Sequence, residues 1–429
     1  MAKWRETLRS GDWLTRERIR LVALAVLVAA ALGATFLIVT SNGLNDRFGR
    51  PLGTDFSDVY TAGTYVLDGE ATAPFNPPRQ FAGEQAIFGQ RAQYYGWHYP
   101  PYFLGPAALF ATMPYPLALA VWQGVTLVLY LLVIRGILFS SAAPGRAGQP
   151  PSPLSGAGKG SMWLLLALAY PAVFINLGHG QNGFLTAALL GAALWQLDRR
   201  PWLAGLLIGL MVYKPQFGVL IPVVLIASGR WRTFAAAALT VVALTLIVTF
   251  VFGPDVWTAF LASTKFTRTV VLQQGGTGWQ KIQSVFSVVR MWGGSVPLAY
   301  ALQTMVTVAV AGALAWLWRS RASFAFKAAA LAIGTILATP YCLDYDLMVV
   351  APAIAFLTRD GLERGFDPWA KTLLAAVWFV PLITRSVAGA TLIPLGVPTL
   401  LIAFAFVLHR AMTEPGVMKQ WRFATNSLE

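Results

Sequence analysis

Long apolar runs broken by short polar intervals set the pattern of this chain from residue 19 onward. A helix needs about 20 apolar residues to cross a bilayer, and fewer where neighbouring helices shorten or break it. Runs of this kind fall at 19–40, 116–139, 161–177, 182–197, 202–213, 215–228, 233–252, 297–318, 328–341, 346–358, 372–387 and 391–409. Twelve such segments predict an all-α polytopic membrane protein with both termini on one side. The count can be checked, because it assigns every loop to a face. One face then holds 22 Lys and Arg against 9 acids and the other 10 against 9, so the positive-inside rule makes the first face cytoplasmic. The stretch 99–112 (YPPYFLGPAALFAT) is also apolar. Counting it as a span would put Arg199, Arg200, Arg230 and Arg232 outside, so it is read as a re-entrant or interfacial helix.

The predicted organisation is a cytoplasmic segment 1–18, a single membrane domain 19–409 and a cytoplasmic tail 410–429. The run beginning at Ile19 is too long for a signal-peptide core and lacks a small-residue cleavage box, which predicts a retained signal anchor. Two long loops fall outside. The first, 41–98, carries six acids (Asp46, Asp55, Asp58, Asp68, Glu70 and Glu84). The second, 253–296, has amphipathic stretches around a glycine-rich QQGGTG, expected to form interfacial helices. Inside, 140–160 reads as a low-complexity linker. Composition agrees: 56% of residues are hydrophobic, 12% charged, and the mean hydropathy is +0.60, where a soluble chain would carry roughly a quarter charged residues. The formal charge of +14 sits largely on the cytoplasmic loops and gives no reason to expect a nucleic acid partner. One cysteine (Cys342) and three histidines exclude an intramolecular disulfide and leave little for a structural zinc site, so no metal ligands are assigned.

Five constellations carry possible chemistry. In GTDFSDVYTAG, Asp55 and Asp58 share a face if the stretch is helical, and a carboxylate there can take a proton from a hydroxyl; the plainer reading is a solvated loop pair. WHYPPYF holds His98 and Tyr99 where a loop enters the bilayer. Its aromatics suit the headgroup belt, and His98 is a candidate to orient a phosphate or hydroxyl. INLGHGQNG interrupts an apolar stretch with His179, Gln181 and Asn182 at the start of the next helix, where a phosphate could dock if the turn is more than a hydrophilic hairpin tip. Lys214, between two apolar stretches beside Pro215 and Gln216, either snorkels to the headgroups or meets an anion. In ATPYCLDYDLMVVAPA, Tyr341, Asp344 and Asp346 mark the span boundary or bind sugar hydroxyls. All five fall on the outer face.

The order of these motifs, DFSDVYTAG, LDGE and PFNP, then YPPYFLGPAALFATMPYPLALAVWQ, GQNGFLTAALLGAAL, AGLLIGLMVYKPQFGVLIPVVLIASGRWR and PYCLDYDLMVVAPA, resembles glycosyltransferase family 87 over about residues 19–360. The resemblance implies a bundle of the GT-C fold in the bacterial inner membrane, with about twelve transmembrane helices and an extracytoplasmic active site. It implies an inverting hexosyltransferase that uses a polyprenyl-phosphate sugar, mannose foremost, and a glycolipid or glycan acceptor. No cofactor is implied beyond the lipid-linked donor, although an outer acidic pair could hold a divalent cation. The family's catalytic aspartate maps onto Asp55, with Asp58 as the alternative because it too precedes an aromatic. Lys214, His179, Gln181 and Asn182 would then meet the donor phosphate, and His98, Tyr99, Gln216, Tyr341, Asp344 and Asp346 the substrates. Two other classes compete: a transporter or lipid flippase, which the lack of acids in span centres disfavours, and an assembly factor docking through 253–296. Neither the sugar nor the oligomeric state is readable.

Overall fold

The computed structural model describes residues 2–140 and 161–418. The described residues are helical and contain no strand. The expected linker 140–160, apart from its first residue, and the tail from 419 onward lie outside them.

Among the described residues six helices are long and apolar enough to cross a membrane: Arg16–Val39, Tyr115–Phe139, Trp231–Phe252, Val296–Arg319, Ala370–Thr391 and Gly396–Thr413. A seventh span is available if Met162–Ala169 and Pro171–His179, bent by 49° at the proline that opens the second half, count as one. The remaining apolar segments are shorter. Gly183–Gln196, Pro201–Tyr213, Pro215–Ala227 and Phe324–Leu337 have 10–17 residues, and 346–358 falls on a 3-10 turn, Asp344–Val349, running into Val350–Arg364. The twelve apolar segments are therefore all helical, while the full-length spans are fewer than twelve. The physical reason is visible in burial. Long helices such as Trp231–Phe252 expose Leu239, Leu246 and Phe250, as lipid-facing helices do, whereas Gly183–Gln196 and Phe324–Leu337 are almost wholly enclosed by protein. A helix enclosed in this way need not match the bilayer thickness.

The bundle has two distinct ends. At one, the helix Ala2–Ser10 docks beside Ala370–Thr391 through Thr372, whose hydroxyl donates to the Leu8 carbonyl (2.6 Å) and accepts from Trp13 Nε1 (2.9 Å). Arg364 pairs with Glu414 there, and Arg410 with Asp367. At the other end the two long loops pack on each other: His98 Nδ1 lies 2.8 Å from Thr267 Oγ1, and Phe75 and Tyr94 meet Phe260 and Phe266 edge-on. The second loop contains helices Asp255–Phe266 and Val285–Met291.

The segment 99–112 forms a 3-10 turn and an eight-residue helix, Leu104–Ala111, too short to cross. It supports the helix Phe56–Leu67 of the first loop. A Cβ on Gly63 would fall 2.1 Å from the Ala107 carbonyl oxygen, so only glycine permits this approach.

Candidate active site

Asp55 occupies the position before the helix Phe56–Leu67, where an aspartate ordinarily caps free backbone N–H groups, but its carboxylate makes no capping bond. It turns instead to the GHGQNG turn. His179 Nδ1 lies 3.2 Å from Oδ1, Thr54 donates its hydroxyl to the same oxygen (3.1 Å), and Gln181 Nε2 donates to Oδ2 (3.0 Å). Gly180 makes the meeting possible: its φ is +63°, and a Cβ there would stand 2.6 Å from Phe56 Cβ. The turn is fixed from behind by the helix Tyr115–Phe139, where Trp122 Nε1 donates to the Gly180 carbonyl (3.0 Å) and Gln123 Nε2 to that of Gln181 (3.1 Å). Tyr99 completes the network. Its hydroxyl donates to Gln181 Oε1 and accepts from Asn182 Nδ2, each at 2.9 Å.

Burial alone would raise the Asp55 pKa. His179, Gln181 and Thr54 outweigh it, and the carboxyl lies below its ordinary value. Asp58 is also buried, but its Oδ1 has no hydrogen-bond partner, and burial together with the charges of Glu84 and Asp55 holds its pKa well above the usual range. Burial pushes Glu84 up to about 7 although the backbone N–H groups of Tyr95 and Gly96 donate to it. The surroundings thus favour the charged form of Asp55 and oppose that of Asp58. His98, pushed down to about 4 by burial, is neutral, and it bonds Thr267 rather than the Asp55 network.

Lys214 sits at the break between Leu210–Tyr213 and Pro215–Gly218, the latter opened by a proline. Its ammonium is 2.5 Å from Asp346 Oδ1, and the two side chains are only 6% and 2% exposed. The Leu343 N–H donates to the other Asp346 oxygen (3.0 Å). Lys214 is therefore already compensated within the protein. Tyr345 connects this pair to the Asp55 cluster, with Lys214 Nζ 5.0 Å from its ring centroid and the His179 ring 5.7 Å away on centroids. Asp344 pairs with Arg385 (3.3 Å), and Tyr341 holds Thr339 through its backbone. Gln216, in the short helix Pro215–Gly218, takes no part in these contacts.

The structure thus gathers Asp55, His179, Gln181, Asn182 and Tyr99 into one network and joins Lys214 and Asp346 to it through Tyr345. His98, Gln216 and Tyr341 stay at its margin. The sequence pattern did not single out Thr54, Tyr345, Arg385 or Lys281. Arg385 carried the same signal as Lys214, being the one charge within the apolar run 372–387. Among the described residues, no three or more His, Cys, Asp or Glu are grouped as metal ligands.

Chemically, an ionised carboxylate flanked by an imidazole can take a proton from a hydroxyl brought against it. The family model of glycosyltransferase family 87 matches residues 97–340. That range includes Tyr99, His179, Gln181, Asn182 and Lys214, whereas Asp55, Asp344, Asp346 and Arg385 lie outside it. No curated protein and no solved structure matches the chain.

Proposed function

The chain belongs to glycosyltransferase family 87, and from that premise we propose that this multi-pass membrane glycosyltransferase moves a hexose, mannose foremost, from a polyprenyl-phosphate donor to a glycolipid or glycan hydroxyl at the extracytoplasmic face of the bacterial inner membrane. Asp55 is the general base. As the acceptor oxygen attacks the anomeric carbon, its proton passes to the Asp55 carboxylate. The bond from that carbon to the phosphate oxygen breaks on the opposite face, and the electron pair leaves on the polyprenyl phosphate. Attack opposite the leaving group inverts the anomeric configuration. The positive charge that develops on the sugar ring is favoured by a nearby anion. His179, Gln181 and Thr54 orient the carboxylate and keep it charged, and Asn182 and Tyr99 brace Gln181.

The observation that supports this reading best is the pairing of an ionised Asp55 with His179 and Gln181 on a loop that packs against the second long loop. The family favours transfer over the transporter and assembly-factor alternatives. The test uses purified chain in detergent with a labelled polyprenyl-phosphate hexose and a glycolipid acceptor. The wild type is expected to form a new glycosidic bond of inverted configuration and release polyprenyl phosphate, and Asp55→Asn to do so at least about a hundredfold more slowly. Transfer from a nucleotide sugar but from no polyprenyl-phosphate sugar would sink the donor assignment.

A further inference from the structure

We propose that Lys281 and Arg385 form the anion subsite that receives the phosphate diester of the lipid-linked donor; this rests on the transferase reading above. The expected phosphate ligand, Lys214, is held at 2.5 Å by Asp346 in an enclosed pair, and drawing it toward a ligand would strand a buried carboxylate. Lys281 and Arg385 are differently placed. The Lys281 ammonium is half-buried and has neither a hydrogen bond nor an ion pair among the described residues. Burial, followed by the positive charge of Arg385, lowers its pKa. Arg385 spends one N–H on Asp344 (3.3 Å) and keeps the rest of its fork free, with its side chain 42% exposed. Two neighbouring cations, one of them unpaired and partly desolvated, repel each other until an anion joins them.

Their placement is built rather than incidental. Gln283 N–H donates to the Cys342 carbonyl (2.7 Å), and Thr384 donates its hydroxyl to Gln283 Oε1 (3.2 Å) while accepting the Gly396 N–H (2.9 Å). A Cβ on Gly396 would fall 2.1 Å from Gln283 Oε1, so this clamp requires glycine. One clamp therefore fixes the second long loop two residues after Lys281 and the long helix one residue before Arg385. The charge of Asp55 reaches Lys281, and that of Arg385 reaches His179. An anion held by the two cations would therefore sit within the electrostatic reach of the Asp55–His179 pair, on the side where Arg385 meets Asp344. The subsite also supplies the compensation for negative charge that the departing phosphate needs.

Farnesyl phosphate, a short prenyl phosphate without sugar, is the probe. It is expected to raise the melting temperature of the wild type and to compete with donor. In Lys281→Met/Arg385→Gln that stabilisation should vanish and the donor KM rise roughly tenfold or more, with a smaller change in kcat. Lys281→Arg/Arg385→Lys should keep most of both. Lys281→Met alone, which removes a side chain without a partner, provides the fold-safe variant and should show the same loss to a lesser degree. Undiminished stabilisation by farnesyl phosphate in the double variant, with transfer intact, would overturn the subsite while leaving the transferase reading in place. A changed response to phosphatidylglycerol or inorganic phosphate, with none to farnesyl phosphate, would also overturn it. A wild type that transfers from no polyprenyl-phosphate sugar would sink the transferase reading and the subsite with it.

Discussion

Asp55 and Asp58 stand one helical turn apart on the same loop, Asp55 partly exposed and Asp58 buried, and their pKa values are pushed in opposite directions. Around Asp55 three side chains converge: an imidazole, an amide and a hydroxyl. Near Asp58, Gln80 gives its amide N–H to the Asp58 backbone carbonyl and to Glu84, and Asp58 Oδ1 is left without a partner. Burial works against ionisation at both sites. The neighbours make the difference: His179, Gln181 and Thr54 favour the charge on Asp55, whereas the acids Glu84 and Asp55 oppose it on Asp58, which suits Asp55 to the proposed role of proton acceptor and leaves Asp58 in the wall between the helices Phe56–Leu67 and Pro77–Phe88.

Amide replacement tests this contrast most severely. Asp55→Asn removes the charged acceptor and should lower transfer by roughly 10²–10⁴-fold with the protein still folded. Asp58→Asn replaces a carboxyl whose surroundings oppose its charge by an amide of the same shape and should leave the rate within about threefold. Both rates come from the same donor-transfer assay, and the reverse pattern would exchange the two roles.

A second variant makes Asp55 resemble Asp58. Without His179 the burial of Asp55 is opposed only by Gln181 and Thr54, so its pKa rises and less of it is ionised at neutral pH. His179→Ala is expected to lose about tenfold in kcat/KM at pH 7 and to regain activity as the pH is raised. His179→Asn, whose amide N–H can stand where Nδ1 stood but carries no charge, should fall between His179→Ala and wild type. An unchanged pH profile in His179→Ala would show that the imidazole does not set the charge of Asp55.

The history of these residues explains what could be read from the chain alone. Apolar runs were legible because lipid and protein interior both demand them, but spans could not be counted that way. A helix enclosed by its neighbours, such as Phe324–Leu337, looks as apolar as one facing lipid. The GHGQNG turn was legible because polar residues interrupted an apolar stretch. The choice between Asp55 and Asp58 was not, since it depends on His179 and Gln181, more than 120 residues away along the chain. The partner of Lys214 was hidden for the same reason: Asp346 lies 132 residues on and was itself read as a sugar ligand. Lys281 gave no signal at all, as a lysine on an amphipathic stretch is ordinarily a solvated one, and only the clamp through Gln283 and Thr384 brings it to Arg385.

The smallest effect expected is thermodynamic, and it comes from the donor-poor side of the comparison. Glu84 titrates near 7 in the folded chain against about 4.5 when unfolded, and Asp58 is shifted in the same direction. The folded state therefore holds these protons more tightly than the unfolded state does. The resulting stability is complete below about pH 4.5 and is lost as the pH rises through 7. Thermal melts of the purified chain should fall by a few degrees between pH 5 and pH 8 on this account. Asp58→Asn has no proton to lose, so the part of the decline that Asp58 contributes disappears and the slope should be shallower in that variant. A decline of equal steepness in Asp58→Asn would mean that Asp58 is already ionised in the fold, and the distinction between the two aspartates would then have to rest on geometry rather than on charge.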